Sequence, residues 1–452
     1  MSWRHWRKLK LFAATACGVC LAKTFSPVRN VSSEKVVIYN ENNDYVDQVD
    51  GVDSPNQCLP DENNLILRQV QVYFRHGART PLQITPGIEQ AGYFPEFVLR
   101  DAPHTLFWYS LTYMDNTPVE SSSFDYQYRR TKLKGGGHAG MLTSYGQDQM
   151  YLLGRQLRYD YINTGFLCPE YNEEQIFVRS TNMKRTIDSA RCVLAGLYTA
   201  EELNKTCSVK IVTSPSIDEV LFPNNINCPV VKDVINATMV DFDNIPGIKE
   251  DRMKMESALG LDSTKDGHKL HFVHMRDDLT ARMAHGWMVP KVVLPFMDLV
   301  EENATKLLYF AMCGKTEEER KTVLPLSVGP ALTMSVKMME DMMNGKSQKM
   351  LCLYSTHDSL MICLLEAFGL YNNTWPEYAA DFRLELYEDR NQEFWVKVRY
   401  CGQDKSLPPC SESMFSFDQF SKMMKPYVKE KKEYLRICNS NILKNLSKGG
   451  SR

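Results

Sequence analysis

At 452 residues, 43% of them hydrophobic and 11% aromatic, the chain can bury a large core as one big domain with insertions or as two domains, which excludes a disordered or fibrous protein. The formal charge is −2; residues 1–33 carry six Lys or Arg and no acid, so the remainder holds 47 basic against 55 acidic residues, about −8. That balance argues against general nucleic-acid binding.

The chain begins "MSWRHWRKLKLFAATACGVCLA", a basic leader (residues 1–33) whose apolar or small run from Leu11 to Ala22 is too short to span a bilayer. It fits a secretory signal peptide or a mitochondrial presequence. Nothing later reaches eighteen consecutive apolar residues, so no integral membrane segment is expected. A first strand is expected over 67–74, and it runs directly into "RHGARTP". Residues 81–140, with Pro, Gly and aromatic clusters, are too long for a simple connection and read as an insertion. A helix follows over 146–161, with Met150, Leu153 and Leu157 at helical spacing, then a strand at 175–179 and a helix over 184–197. After a strand at 208–213, residues 215–320 form a second long insertion. A helix from about Gly329 to Met343, a strand at 349–355 and a helix from Asp358 to Phe368 come next. Strands at 382–388 and 394–400, joined by "DRNQE", read as an antiparallel hairpin on the sheet edge.

Strands alternating with helices predict an α/β fold: a mostly parallel central sheet flanked by helices, with a mainly α-helical cap formed by the insertions. The catalytic core is assigned to residues 60–80, 141–214 and 321–440, the cap to 81–140 and 215–320, and a tail to 441–452. No internal repeat is visible.

Beyond the leader, eleven cysteines are spread from Cys58 to Cys438 with no C-x-x-C pair, so a metal cluster of that kind is not expected. Six N-x-S/T sequons (Asn30, Asn204, Asn236, Asn303, Asn372, Asn445) tip the compartment only slightly toward secretion. "HKLHFVH" sets His268, His271 and His274 three apart but offers no carboxylate partner nearby, so no metal role is assigned. "MSVKMMEDMM" reads as adaptable helix core, and "GGGH" at 135–138 lacks the Lys-Ser/Thr of a P-loop.

The chemistry concentrates in "RHGARTP". Ligands of open α/β sheets bind at the carboxyl ends of strands, and there Arg75, His76 and Arg79 share one turn while Gly77 allows close backbone approach. Two forked guanidiniums beside an imidazole suit a phosphate. With this motif, "LTSYGQDQMYLLGRQLR", "VRSTNMKRT", "SVGPAL" and "YSTHDSL", the chain resembles the histidine acid phosphatases, whose fold is phosphoglycerate mutase-like. "LKGGGHAGMLT", "CVLAGLY" and Asn182, where many members have Asp, are similar to the lysophosphatidic acid phosphatase branch, a mitochondrial one.

The resemblance implies that His76 is the nucleophile and Asp358 the proton donor. It implies that Arg75, Arg79, Arg179 and His357 bind the substrate phosphate, with no metal and no cofactor. The expected reaction is hydrolysis of phosphate monoesters, lysophosphatidate to monoacylglycerol above all, through a phosphohistidine, by a monomeric mitochondrial enzyme with a small-molecule substrate. Three alternatives stay open: a secreted or lysosomal acid phosphatase of broad specificity, a phosphotransferase of the related mutase class, and a non-catalytic phosphate- or lipid-binding protein on the same scaffold. Asp358 can also be no more than a helix N-cap.

Overall fold

The computed structural model describes residues 64–206, 209–263, 269–408 and 412–440. Its central strand is β1 (Ile66–Arg75), buried continuously from Gln69 to Arg75. A strand covered on both faces shows no polar side; the two glutamines it carries are satisfied by backbone carbonyls. Gln69 Nε2 donates to Lys349 O at 2.9 Å and Gln71 Nε2 to Ser335 O at 2.9 Å.

Eight further strands complete the sheet: β2 (Ser110–Tyr113), β3 (Ile176–Ser180), β4 (Lys210–Thr213), β5 (Leu351–Thr356), β6 (Asp381–Glu388), β7 (Phe394–Tyr400), β8 (Gln403–Asp404) and β9 (Met414–Ser416). The spatial order is β2-β4-β3-β5-β1-β6-β7-β8, with β9 also paired to β7. Neighbours from β2 through β1 are parallel. From β6 onward the pairs are antiparallel.

The helices that matter for the site are α1 (Ser123–Arg129), α2 (Ser144–Leu157), α3 (Lys184–Tyr198), α4 (Pro229–Met239), α5 (Ile248–Leu259), α6 (Phe272–Ala284), α7 (Met297–Cys313), α8 (Glu317–Met343), α9 (Asp358–Ala367), α10 (Phe417–Met424) and α11 (Lys431–Cys438). Val70, Val72 and Phe74 of β1 pack with Leu153 and Leu157 of α2 and Ile187 and Leu194 of α3 on one face of the sheet. Tyr73 joins Leu307 of α7, Leu332 of α8 and Leu360 of α9 on the other. This is the period-2 alternation of a strand feeding two helical layers.

The mostly parallel sheet flanked by helices is as expected, but four details differ. β2 lies inside the stretch read as pure insertion and extends the sheet beside β4. The hairpin β6–β7 is not the outermost element, since β8 and β9 pair beyond it. After α2 a π-helical turn runs over Arg158–Ile162. α8 begins at Glu317, twelve residues before Gly329, and carries Pro325 and Pro330 inside it. Prolines end helices when local preference decides; here Leu324, Leu326, Val328 and Leu332 are buried, and packing decides.

His271 is a cap residue: its Nδ1 accepts from Val273 N at 3.2 Å and its Nε2 donates to Met239 O at 3.1 Å. Its ring stacks on His274, while His268 lies outside the described residues. Of the sequons, Asn303 is buried and donates to Asp251 at 2.8 Å, whereas Asn204, Asn236 and Asn372 are exposed; Asn30 and Asn445 lie outside the described residues. A disulfide joins Cys228, at the start of α4, to Cys438, at the end of α11. Among the described residues no helix is long and apolar enough to cross a membrane.

Candidate active site

β1 and β5 pair in parallel with Arg75 opposite Thr356, so the residues that follow them, His76 and His357, emerge side by side at the carboxyl edge. The link continues past the strands, because His76 N donates to Thr356 O at 3.1 Å. The two imidazoles meet edge to face with centroids 5.6 Å apart. Gly77 then lets the chain lie on the first turn of α2: a Cβ there would stand 2.3 Å from Gly146 O, and one on Gly146 would stand 2.0 Å from Ala78 O. Neither position has room for a side chain.

His76 is 1% exposed, and its Nδ1 lies 2.9 Å from Gly77 O. A carbonyl only accepts, so Nδ1 carries the hydrogen and Nε2 keeps its lone pair. Burial, and then the charges of Arg185, Arg79 and Arg75 and the His357 ring, hold the imidazole pKa well below the usual value. The ring is therefore neutral, with one nucleophilic nitrogen.

Arg75 is fixed by Nη1 donating to Pro376 O at 2.6 Å, by Nη2 at 2.8 Å from Asp358 Oδ2, and by the Tyr378 ring 4.3 Å from its Cζ. Arg79 is held by Asp277, with Nη1 at 2.8 Å from Oδ1. Arg185, the second residue of α3, lies with Nη2 3.5 Å from His357 Nδ1 and Cζ 5.1 Å from the Tyr128 ring. In these three guanidiniums, Arg75 Nε, Arg79 Nε, Arg185 Nε and Arg185 Nη1 are buried and have no hydrogen-bond partner among the described residues. Buried donors are almost always paired, so such a cluster is built for an acceptor of negative charge.

Arg179 does not join this cluster, although its Nε is also buried without a partner among the described residues, which corrects the expectation for that residue. Its Nη2 donates to Ser214 Oγ at 2.8 Å and to Glu219 Oε1 at 3.0 Å, and its Nη1 faces Met334 Sδ at 3.1 Å. The side chain leaves β3 toward the buried carboxylate of Glu219. Arg185, six residues on in "VRSTNMKRT", supplies the third guanidinium instead. Asn182 Nδ2, exposed in the same turn, donates to Glu120 O at 3.0 Å.

His357 is placed by Thr181, whose Oγ1 is 3.0 Å from Nε2, and Thr181 Oγ1 lies 2.7 Å from Thr186 Oγ1. Arg185 can only donate, so Nδ1 accepts and Nε2–H donates to Thr181, giving a consistent chain of donors that ends at Met183 O, 2.8 Å from Thr186 Oγ1. His357 is also the backbone N-cap of α9, and Asp358 is its first helical residue. Asp358 Oδ1 accepts from Ser359 N at 3.0 Å, while Oδ2 accepts from Trp375 Nε1 at 2.9 Å as well as from Arg75. Burial raises this carboxyl, but Arg75, then Arg79 and the Trp375 N–H, outweigh it and hold it at about 2. A helix cap alone does not recruit an arginine and an indole.

The cluster opens into a cavity of about 230 Å³ whose wall beyond the charged floor is largely apolar: Phe124, Tyr128, Met183, Phe222, Pro223 and Met312. Sequence reasoning missed Arg185, Tyr378 and Trp375. Arg185 was visible as a second arginine in its motif; the two aromatics carried no signal.

A family model, "Histidine phosphatase superfamily (branch 2)", matches residues 66–258 and 301–401. The chain is 32% identical over 400 residues to lysophosphatidic acid phosphatase type 6 of Mus musculus, covering 87% of this chain and 93% of that protein. It is 33% identical to the Homo sapiens protein of the same name, over 85% and 88% of the two chains. Prostatic acid phosphatase of Mus musculus is 23% identical over 82% of this chain and 90% of its own length. Among solved structures, the multiple inositol polyphosphate phosphatase of Bifidobacterium longum superposes with a TM-score of 0.54 at 9% identity, over 84% and 96% of the two chains, and shares the fold. With the family's model matched from β1 to β7 and phosphatases related along most of its length, the chain is a phosphomonoesterase and belongs to branch 2 of the histidine phosphatase superfamily.

Proposed function

We propose that the protein is an acid phosphatase that converts lysophosphatidate to monoacylglycerol and phosphate through a phosphohistidine at His76, with guanidiniums in place of a metal. The observation that carries the mechanism is the neutral His76, its Nε2 free, among three arginines that hold four unpartnered buried N–H groups. These donors would bind the equatorial oxygens, where charge spreads in the transition state, and His357 would join them by moving its proton from Nε2 to Nδ1, with the Thr181 hydroxyl then donating to Nε2. His76 Nε2 attacks phosphorus in line as the ester P–O bond breaks.

Asp358 is ionised in the free protein, so it cannot bring the proton itself. The substrate would arrive as the monoanion, R–O–PO₃H⁻, and Asp358 would pass that proton to the departing oxygen, releasing R–OH. In the second half, Asp358 would take a proton from the water that attacks the phosphohistidine.

The lipid preference is supported by two facts. The curated relatives with the highest identity quoted above carry that substrate in their name, and the wall next to the charged floor is apolar. That wall comes from both stretches assigned to a cap: Phe124 and Tyr128 from residues 81–140, Phe222 and Met312 from 215–320. Phosphate release from lysophosphatidates of several chain lengths, glycerol 3-phosphate and p-nitrophenyl phosphate tests this. Equal kcat/KM for glycerol 3-phosphate and the lipids would remove the lipid assignment.

The leader is proposed to direct the chain to mitochondria. The Cys228–Cys438 bridge favours the alternative, a secretory route, or else a mitochondrial compartment that permits disulfides. A reporter fused to residues 1–40 separates these: mitochondrial import supports the first, and secretion with glycosylation at Asn204 or Asn236 supports the alternative.

A further inference from the structure

β2 and β4 end at a second cavity of about 1060 Å³, which shares no lining residue with the one at His76. The segment from Glu219 to Pro223 is the partition: Glu219 and Val220 line the second cavity, Phe222 and Pro223 the first. Its volume is at the upper end of the range of small-molecule sites.

Glu219, the partner of Arg179, lines the second cavity. Glu219 is 2% exposed; its Oε1 accepts from Arg179 and from the backbone N–H groups of Val220 and Leu221, each of the latter at 2.8 Å. Its Oε2 is buried without a partner among the described residues, and so is Oγ1 of Thr213, which is fully buried and also lines the cavity. A carboxylate oxygen that can only accept and a hydroxyl that can donate or accept thus lack partners.

Charge at the cavity is close to balance: Glu219 is matched by Arg179, Lys431 lies 3.3 Å from Asp218 and Lys429 lies 3.9 Å from Glu433, while Asp115, held by Thr117, has no ion pair among the described residues. An anion would meet this one excess negative charge, and any charged ligand would lose hydration. Tyr113, Met114, Ile226, Pro330, Tyr427 and Leu435 supply an apolar surround.

We infer that this cavity binds a neutral amphiphile of the long-chain alcohol or acylglycerol class, with its hydroxyl end at Thr213 and Glu219 and its chain along Tyr427, Pro330 and Leu435. The inference stands on the cavity alone and does not need the proposed reaction.

The probe is a monoacylglycerol bearing a diazirine on its acyl chain, photolysed with the full protein and located by peptide mass spectrometry. The expected result is saturable labelling around Tyr427 and Leu435 that inorganic phosphate does not displace. Thr213→Val, which keeps the shape and removes a hydroxyl with no partner, should fold normally and weaken labelling about five-fold. Leu435→Trp, which fills the cavity, should abolish it, and neither change should alter phosphate release from p-nitrophenyl phosphate. Labelling confined to the His76 cavity, or labelling at Tyr427 that both variants leave unchanged, would overturn the inference.

Discussion

Arg75 Nη2 lies 2.8 Å from Asp358 Oδ2, so the residue before the proposed nucleophile fixes the charge on the proposed proton carrier. With Asp358 held at about 2, the pH dependence should follow the substrate. A phosphate monoester loses its second proton at about pH 6, and kcat/KM should fall tenfold per pH unit above that point. The check is a pair of profiles for lysophosphatidate and p-nitrophenyl phosphate: the upper limb should move with each ester's own second ionisation. A limb at one fixed pH for both would assign it to the protein instead.

Asp358→Asn should depend on the leaving group. General acid catalysis typically contributes 10²–10⁴-fold, so single-turnover phosphorylation by lysophosphatidate should slow by about that factor. With p-nitrophenyl phosphate, whose phenolate leaves without a proton, the loss should be clearly smaller. Equal slowing for both esters would count against proton delivery, and no slowing for either would leave Asp358 with Ser359 N, Trp375 and Arg75 as structural partners only.

The two arginines of "VRSTNMKRT" should separate cleanly. Arg185→Met removes a donor from the phosphate site and should lower kcat about 10²–10³-fold. Arg179→Met should leave kcat within about threefold, yet destabilise the fold by roughly 3–5 kcal/mol by stranding the buried Glu219 charge. Adding Glu219→Gln should restore much of that loss. Urea midpoints beside kinetics of the three variants decide it, and the reverse pattern would return Arg179 to the phosphate.

Acid should destabilise the protein through its histidines. Burial is the first cause that lowers His76, His271, His274, His285 and His357, with His271 brought to about 4. The unfolded chain binds these protons near pH 6.5 and the folded one only at lower pH, so this stability is complete above 6.5 and is lost progressively as pH falls below it, for His271 toward about 4. Urea midpoints should therefore be lower at pH 5 than at pH 7, and equal midpoints would contradict the neutral assignment.

Much of this was legible from the chain. "RHGARTP" and "YSTHDSL" announced two strand ends with complementary chemistry, and the parallel pairing of β1 with β5 is what brings His76, His357 and Asp358 together. Arg179 against Arg185 was not legible, because the turn over residues 181–183 decides which guanidinium faces the nucleophile and no spacing rule reports that. β2 was missed since "SLTY" is short and only half-buried, and its pairing with β4 comes from far along the chain. The first half of α8 was hidden by Pro325 and Pro330, whose local cost is outweighed by a buried face.

The central claim is the covalent bond to His76. The most direct measurement is rapid quenching of the protein during turnover of ³²P-labelled lysophosphatidate, under alkaline conditions that preserve phosphoramidates, followed by mapping of the labelled peptide. The account predicts an acid-labile phosphate on His76 that forms and decays at rates consistent with kcat and is absent from a folded His76→Ala variant. Label on another residue, or undiminished label and turnover in His76→Ala, would contradict it.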